Sequence, residues 1–279
     1  MTQGRWQDWI GRTQVATDRV SDFPARALAA AFDRPQPLSD GDTLPALWSW
    51  LYFLPLAAMG ELGPDGHPRR GDFLPPIELP RRMWAGSRCT LHAPLTIGQP
   101  IERTTTIRNV AEKVGKAGPL AFLTLHHVVR SGSEVVLEEE QDIVYIAIPE
   151  RYVAPAPTPV PACAWSETVE MSTALLFRFS AVTFNAHRIH YDRPYALEVE
   201  KYPGLVVHGP LQAMLLFDAA QRHAPGRRPT HFEFRGVRPQ FDFEALRLSG
   251  QAREDGGFDL FTSNGEGAVA VQAAIRWAG

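Results

Sequence analysis

Apolar and β-branched residues gather in two blocks of the chain, and each block follows a passage that reads as helical. In the first block, residues 84–95, 101–110, 120–130 and 134–148 are bounded by Gly or Pro and predict four strands. The turn-forming stretches 115–119 and 131–133 join them into an antiparallel sheet. In the second block, residues 230–237, 241–253 and 258–277 have the same character. Residues 5–32 predict a helix in two pieces. The second piece starts at Ser21-Asp22-Phe23-Pro24, a capping residue with an early proline, and stops before Pro35 and Pro37. Residues 44–59 are too apolar for exposure, and Pro55 breaks any helix there. Residues 171–177 suit a short strand or helix, and residues 211–221 an apolar helix.

Two irregular stretches punctuate this order. Residues 60–80 are rich in Gly and Pro and carry His67, Arg69 and Arg70; a surface loop of that length is often functional. Residues 149–161 are a Pro-rich, extended linker. The expected organisation is therefore an N-terminal half over 1–148, a linker over 149–162 and a C-terminal half over 163–279. Both halves run from helix to antiparallel sheet, which reads as a structural repeat without obvious sequence identity.

Composition narrows the function. With 44% hydrophobic and 21% charged residues among 279, the chain has the make-up of a globular protein with a large core. A net charge of -3 and the lack of a basic patch argue against nucleic acid. Cys89 and Cys163 have no CxxC or zinc spacing, so a reducing compartment and no metal site are expected. No apolar run reaches the length of a membrane span and no signal-peptide core is seen, so the expectation is a cytoplasmic protein.

The chemistry concentrates in residues 179–192, which hold Asn185, His187, His190, Tyr191 and Asp192 in a turn-like segment, and in residues 205–211, where Gly209 precedes Pro210 at a helix start. Polar side chains clustered among apolar neighbours favour a proton-transfer group, and helix N-terminal amides an oxyanion site. A paired core histidine is the alternative for His190, and a tight turn or close packing the alternative for Gly209. His126 and His127 point to opposite faces of a strand and do not form a joint metal site. Residues 138–140 read as a solvated acidic strand end. Arg235 and Arg238 could bind carboxylate or phosphate, or serve surface solubility. No GxGxxG, P-loop or GxSxG is present.

Residues 183–192, Thr-Phe-Asn-Ala-His-Arg-Ile-His-Tyr-Asp, with Val207-His-Gly-Pro-Leu211 downstream, resemble the hydratase motif of the MaoC-like hotdog hydratases and dehydratases. His190 falls on the catalytic His of that motif and Gly209 on the glycine whose amide binds the thioester oxygen. Asn185 stands where the usual catalytic Asp is found, with His187 and Arg188 replacing Asn and Pro. This form is similar to the subfamily of fungal-type mitochondrial hydroxyacyl-thioester dehydratases, mesaconyl-C4-CoA hydratases and itaconyl-CoA hydratases. In the first half, residues 82–88, 113–120 and 141–145 share that resemblance.

The resemblance implies an α+β double hotdog, two antiparallel sheets each wrapped around a central helix, with the catalytic motif in the second half and the acyl pocket shaped by the first. It implies reversible hydration of an enoyl-CoA thioester, with a short dicarboxylic acyl group such as itaconyl- or mesaconyl-C4-CoA. His190 would be the general base, Asn185 would hold the water and the Gly209 amide would polarise the carbonyl. His187 and Asp192 are candidates for orienting His190. Arg188, Arg235 and Arg238 are candidates for the substrate's anionic groups, with Tyr191 and His208 as further substrate contacts. No metal or other cofactor is expected, and the expected assembly is a homodimer or higher homo-oligomer. A fatty-acid dehydratase, a hotdog thioesterase and a non-catalytic acyl-CoA-binding module are the competing readings.

Overall fold

The computed structural model describes residues 5–34, 38–115 and 118–279. Its β-branched and apolar segments form ten strands: β1 (Thr13–Arg19), β2 (Arg81–Leu91), β3 (Pro100–Gly115), β4 (Gly118–Ser131), β5 (Glu134–Ile146), β6 (Trp165–Val169), β7 (Pro229–Gly236), β8 (Leu246–Ala252), β9 (Phe258–Ser263) and β10 (Val269–Trp277). They make one antiparallel sheet ordered β1-β3-β4-β5-β2-β7-β10-β9-β8-β6. Read outward from the β2–β7 seam, the two arms have the same connectivity, with β1 answering β6, β3 answering β8 and β5 answering β10. The two antiparallel sheets expected of a double hotdog are thus five-stranded halves of a single sheet.

Backbone approach at the seam is close. Gly86 pairs with Arg235, and a Cβ at Gly86 would lie 2.3 Å from the Phe234 carbonyl oxygen. Side chains are excluded there, which lets the ladder continue from one half into the other.

The helices are α1 (Asp22–Ala31), α2 (Thr173–Val182) and α3 (Gly209–His223). The central helix of the second half is α3, buried without interruption from Leu211 to Ala220 and packed on β7 to β10 and on β2. A helix apolar on every side belongs in an interior. Each large side chain it buries contributes about 1.5–3 kcal/mol.

Three expectations change. The first part of residues 5–32 is not helical: a 3-10 turn at Gln7–Trp9 leads into β1, whose backbone pairs with β3 from Thr13↔Thr106 to Arg19↔Pro100. An available strand edge overrides local propensity here. Residues 258–277 are two strands, separated by a turn in which Asn264 Oδ1 accepts the amides of Glu266 and Ala268 at 3.2 and 2.9 Å. The first half holds no counterpart of α3 among the described residues. Between Pro45 and Pro55 the bulky run makes only a 3-10 helix, Ala46–Leu51, which buries Leu47, Trp48 and Leu51.

That difference creates the cavity. Where α3 fills the second half, the inner face of β2 to β5 is left partly uncovered, and a space of about 1130 Å³ lies against it. Alternate residues along the strands face it: Arg82 and Trp84 on β2, Leu125 and His127 on β4, Glu139 and Gln141 on β5. His126 points to the opposite face, beside Arg108 at 3.2 Å. Glu139 is no solvated strand end, being buried and bonded to Trp50 Nε1 at 3.0 Å and Ser87 Oγ at 2.6 Å. Among the described residues, no helix is long and apolar enough to cross a membrane.

Candidate active site

The site begins where α2 ends. Ser172 caps the helix through Oγ, accepting the Leu175 amide at 3.1 Å. At the other end Phe184 adopts φ +49° and turns the chain so that the Asn185 amide donates back to the Ser180 carbonyl at 2.8 Å. Asn185 Oδ1 accepts the His187 amide at 2.9 Å, an Asx turn that fixes the following 3-10 turn, Arg188–His190. This leaves Asn185 Nδ2 on the cavity wall as a donor with no partner among the described residues.

His190 is buried, and its Nδ1 lies 2.7 Å from the Val206 carbonyl oxygen. A carbonyl can only accept, so Nδ1 carries the proton and Nε2 keeps its lone pair. Behind it His208, the residue before α3, stacks ring on ring with centroids 3.6 Å apart, while Ser180 Oγ lies 2.8 Å from His208 Nε2. Burial above all, then the neighbouring His208 and His187, push the His190 imidazolium well below the ordinary histidine value; the Val206 bond opposes this without reversing it. Burial likewise pulls His208 down to about 3. Both rings are neutral at pH 7.

Gly209 opens α3 at the cavity wall, and its amide has no hydrogen-bond partner among the described residues. A Cβ there would meet only the Trp84 carbonyl oxygen at 3.8 Å and a Phe234 ring carbon at 4.0 Å, which is ordinary contact. Neither a tight turn nor close packing therefore demands glycine at this position. What the glycine leaves is an uncovered N–H at a helix N-terminus, where developing negative charge is stabilised.

The loop of residues 60–80 docks onto the motif from the first half. The Arg188 amide donates to the Asp65 carbonyl at 2.9 Å, and Gly66, at φ +87°, lies so close that a Cβ would sit 1.9 Å from the Ala186 carbonyl oxygen. Docking brings in His67, whose Nδ1 is 2.9 Å from Asp65 Oδ2 and whose ring is 4.2 Å from that of His187. Burial pulls His67 down to about 3 despite its bond to Asp65. Burial also works to raise Asp65, but the bonds and charge of His67 outweigh it and hold the carboxyl below the usual range. Ligand-capable atoms of Asp65, His67 and His187 lie within 4.8 Å of one another, a donor set of two imidazoles and a carboxylate that has the chemistry to hold a divalent cation.

His187 sits between His67 and His190, with Nε2 3.7 Å from Glu200 Oε1. Glu200 follows the π-helical turn Tyr195–Val199 and is itself held by Arg81 Nε at 2.6 Å. Burial works against its charge, yet His187 and Arg81 hold its carboxyl below the ordinary value.

Residues 47–242 match the model of hydroxyacyl-thioester dehydratase type 2. The chain belongs to this family. It is 46% identical, over all of both chains, to the mesaconyl-C4-CoA hydratase of Chloroflexus aurantiacus. It is 26% identical to the mitochondrial hydroxyacyl-thioester dehydratase type 2 of Schizosaccharomyces pombe, across 78% of this chain and 81% of that one. Its fold is similar to the crystal structure of HtdX from Mycobacterium tuberculosis, with a TM-score of 0.65 at 19% identity, covering 96% of this chain and 100% of that chain.

Within this type 2 dehydratase-family chain, His190, Asn185, His187, His208, Gly209, Tyr191 and Arg238 all border the cavity. Three of the expected residues do not. Asp192 does not orient His190; its carboxylate takes Arg188 Nε at 2.9 Å and the Tyr195 amide at 3.2 Å. Arg188 is held by Asp192, by the Pro64 carbonyl at 3.0 Å and by the Tyr195 ring, 4.1 Å from its centroid. An i,i+4 pair closing a short turn is the physical reason that neither reaches the cavity. Arg235 is exposed on β7 and bonds Gln272. Arg238 does border the cavity, but its guanidinium donates to Glu244 at 2.7 Å. Tyr191 is half-exposed at the rim, its hydroxyl donating to the Ala186 carbonyl at 3.1 Å.

Sequence reasoning gave no site role to Asp65, to Arg82 and Trp84, which it met only within the 82–88 resemblance, or to Glu139, which it read as part of a solvated strand end. For the strand residues the signal is parity, because each shares an inward face with apolar neighbours; for Asp65 it is the loop already suspected through His67.

Proposed function

We propose that this protein catalyses reversible hydration of an enoyl-CoA thioester whose short acyl group ends in a second carboxylate, with mesaconyl-C4-CoA as the first substrate to test and itaconyl-CoA as the second. The observation that carries it is the buried, singly oriented His190, with Nε2 left unprotonated in the same cavity as the uncovered Gly209 amide. The full-length likeness to a mesaconyl-C4-CoA hydratase supports the acyl group.

Water is held by Asn185 Nδ2 and attacks the β-carbon of the conjugated thioester. Its oxygen forms the new C–O bond, one proton passes to His190 Nε2, and the electron pair of the double bond moves toward the thioester carbonyl, where the Gly209 amide stabilises the enolate. A proton returned to the α-carbon completes the addition, and dehydration is the reverse. His208 forms the rear wall that keeps His190 in place, and Tyr191 borders the entrance. No resident cofactor enters this scheme, and we place the enzyme in the cytoplasm as a homo-oligomer.

The competing reading is a general 3-hydroxyacyl-thioester dehydratase of fatty-acid metabolism, favoured by the match to the family model over residues 47–242. Following enoyl absorbance and free thiol together, with mesaconyl-C4-CoA, itaconyl-CoA and crotonyl-CoA, separates the possibilities. Loss of absorbance without thiol indicates hydration; thiol release indicates a thioesterase; neither indicates a binding module. Faster turnover of crotonyl-CoA than of both dicarboxylic esters would remove the dicarboxylate reading and leave the hydratase.

A further inference from the structure

A dicarboxylic acyl group carries its second charge into a cavity lined largely by apolar side chains, and an unpaired buried carboxylate is costly. The cavity must therefore hold a cation that is not already committed. Five arginines border it, and four are engaged. Arg69 donates to the Leu62 carbonyl, Arg70 to the carbonyls of Ile77, Leu79 and Pro80, Arg103 through one nitrogen to the Phe53 carbonyl, its buried Nε having no partner among the described residues, and Arg238 to Glu244. The Arg82 guanidinium makes no ion pair among the described residues, and the Tyr145 hydroxyl is the polar group beside it.

Its position suits the task. Arg82 and Trp84 are two apart on β2 and share the inward face, so their Cα atoms lie roughly 7 Å apart. The Trp84 carbonyl oxygen in turn lies 3.8 Å from where a Cβ on Gly209 would stand. A thioester oxygen on the Gly209 amide and a carboxylate on Arg82 are thus separated by a short stretch of strand, which fits an acyl group of a few carbons and not a long chain. Arg82 is paired across the ladder with Tyr145, whose hydroxyl is buried beside it and finds no other partner among the described residues. That hydroxyl is a second donor beside the guanidinium.

We infer that Arg82 is the specificity-determining residue of the site, forming a charge-assisted pair with the distal carboxylate of the acyl group. The electrostatics agree with this placement. The ionisation of Tyr145 is pushed up by burial, with Arg82 the leading opposing influence, and His67 is lowered by burial with a further contribution from Arg82. One positive charge therefore bears on both the cavity floor and the histidine cluster. This inference rests on the dicarboxylic reading of the function.

The test compares the native enzyme with Arg82→Gln and Arg82→Lys, using mesaconyl-C4-CoA and crotonyl-CoA as substrates and the saturated esters succinyl-CoA and butyryl-CoA as inhibitors. Truncating one partner of a buried charge pair lowers the ratio of kcat/KM for mesaconyl-C4-CoA over crotonyl-CoA on the order of 100-fold in Arg82→Gln. The preference for succinyl-CoA over butyryl-CoA as inhibitor collapses in parallel. Arg82→Lys keeps the charge but not the planar fork, and gives an intermediate ratio. A ratio unchanged in either variant overturns the inference, as does an equal loss on every ester, which would make Arg82 a CoA contact or a structural residue. If the native enzyme turns over crotonyl-CoA but not mesaconyl-C4-CoA, the dicarboxylic reading itself has failed; if it turns over both and only the ratio test fails, that reading stands and Arg82 is excluded.

Discussion

The imidazole rings of His190 and His208 stack at 3.6 Å between centroids with their planes 19° apart, and both are buried. A proton on either ring would place positive charge in a poorly solvated site, and burial is the largest influence on both. The pair therefore stays neutral, which keeps the Nε2 lone pair of His190 available over a wide pH range. The acid limb of kcat/KM is expected below the ordinary histidine value near 6.5. A pH–rate profile whose acid limb sits above 6.5 would assign the base to another group.

His190→Ala is expected to lose about 100-fold to 10,000-fold in kcat while its circular dichroism and melting remain those of a folded protein. Asn185→Ala should lose less in rate but also some stability, because it removes the acceptor of the His187 amide as well as the water donor. Asn185→Asp keeps that acceptor, so it should melt closer to the native temperature than Asn185→Ala does. Full turnover in a folded His190→Ala protein would refute the assignment.

Gly66→Ala is expected to disrupt the site from the other half of the molecule. The added methyl would stand 1.9 Å from the Ala186 carbonyl oxygen at a backbone angle of +87°. Because the clash is with backbone, the loop or the motif has to shift, and the bond between the Arg188 amide and the Asp65 carbonyl spans that same contact. Destabilisation of more than about 2 kcal/mol, or loss of turnover with the loop undocked, should follow. Native melting together with native kcat would mean that the loop does not hold the motif.

His67, His127 and His208 each titrate near 3 in the folded chain, in every case chiefly because of burial. In the unfolded chain they take up protons below about 6.5. The unfolded state then binds more protons than the folded one, so stability is complete above about pH 6.5 and declines as pH falls toward 3. Melting temperature measured from about pH 8 to pH 4 should fall across that window, and His127→Gln should flatten the fall by its own share. A constant melting temperature would contradict the neutral, buried state of these rings.

The cluster of Asp65, His67 and His187 invites a metal test. Hydration by His190, Asn185 and Gly209 needs no cation, so exhaustive chelation is expected to leave turnover unchanged. Activity that is lost to a chelator and restored by a divalent ion would make the cluster a metal centre and require a different scheme.

Much of this was legible in the chain. The order of strands β2 to β5, the helix that begins at Gly209 and the grouping of Asn185, His187 and His190 follow from local pattern, because strand parity, turn residues and helix termini act over a few residues. The strand Thr13–Arg19 was not, since its structure depends on an edge of β3 far along the chain, pairing Thr13 with Thr106 and Arg19 with Pro100. The difference between the two halves was only half visible: Pro45 and Pro55 forbid a long helix, but that the uncovered sheet becomes a cavity depends on what else packs there.

By itself the sequence determined the double-hotdog class, the motif that carries His190 and the glycine at the start of α3. Only the tertiary structure decided which charged groups are free to act. Arg188 and Asp192 lie four residues apart and satisfy each other, Arg235 is turned outward by strand parity, and Arg82 faces the cavity with no ion-pair partner among the described residues. The physical reason is that a side chain's chemistry is set by what is left of its bonding capacity after folding, and a partner such as Arg81 for Glu200 is assigned by packing across the halves and not by spacing along the chain.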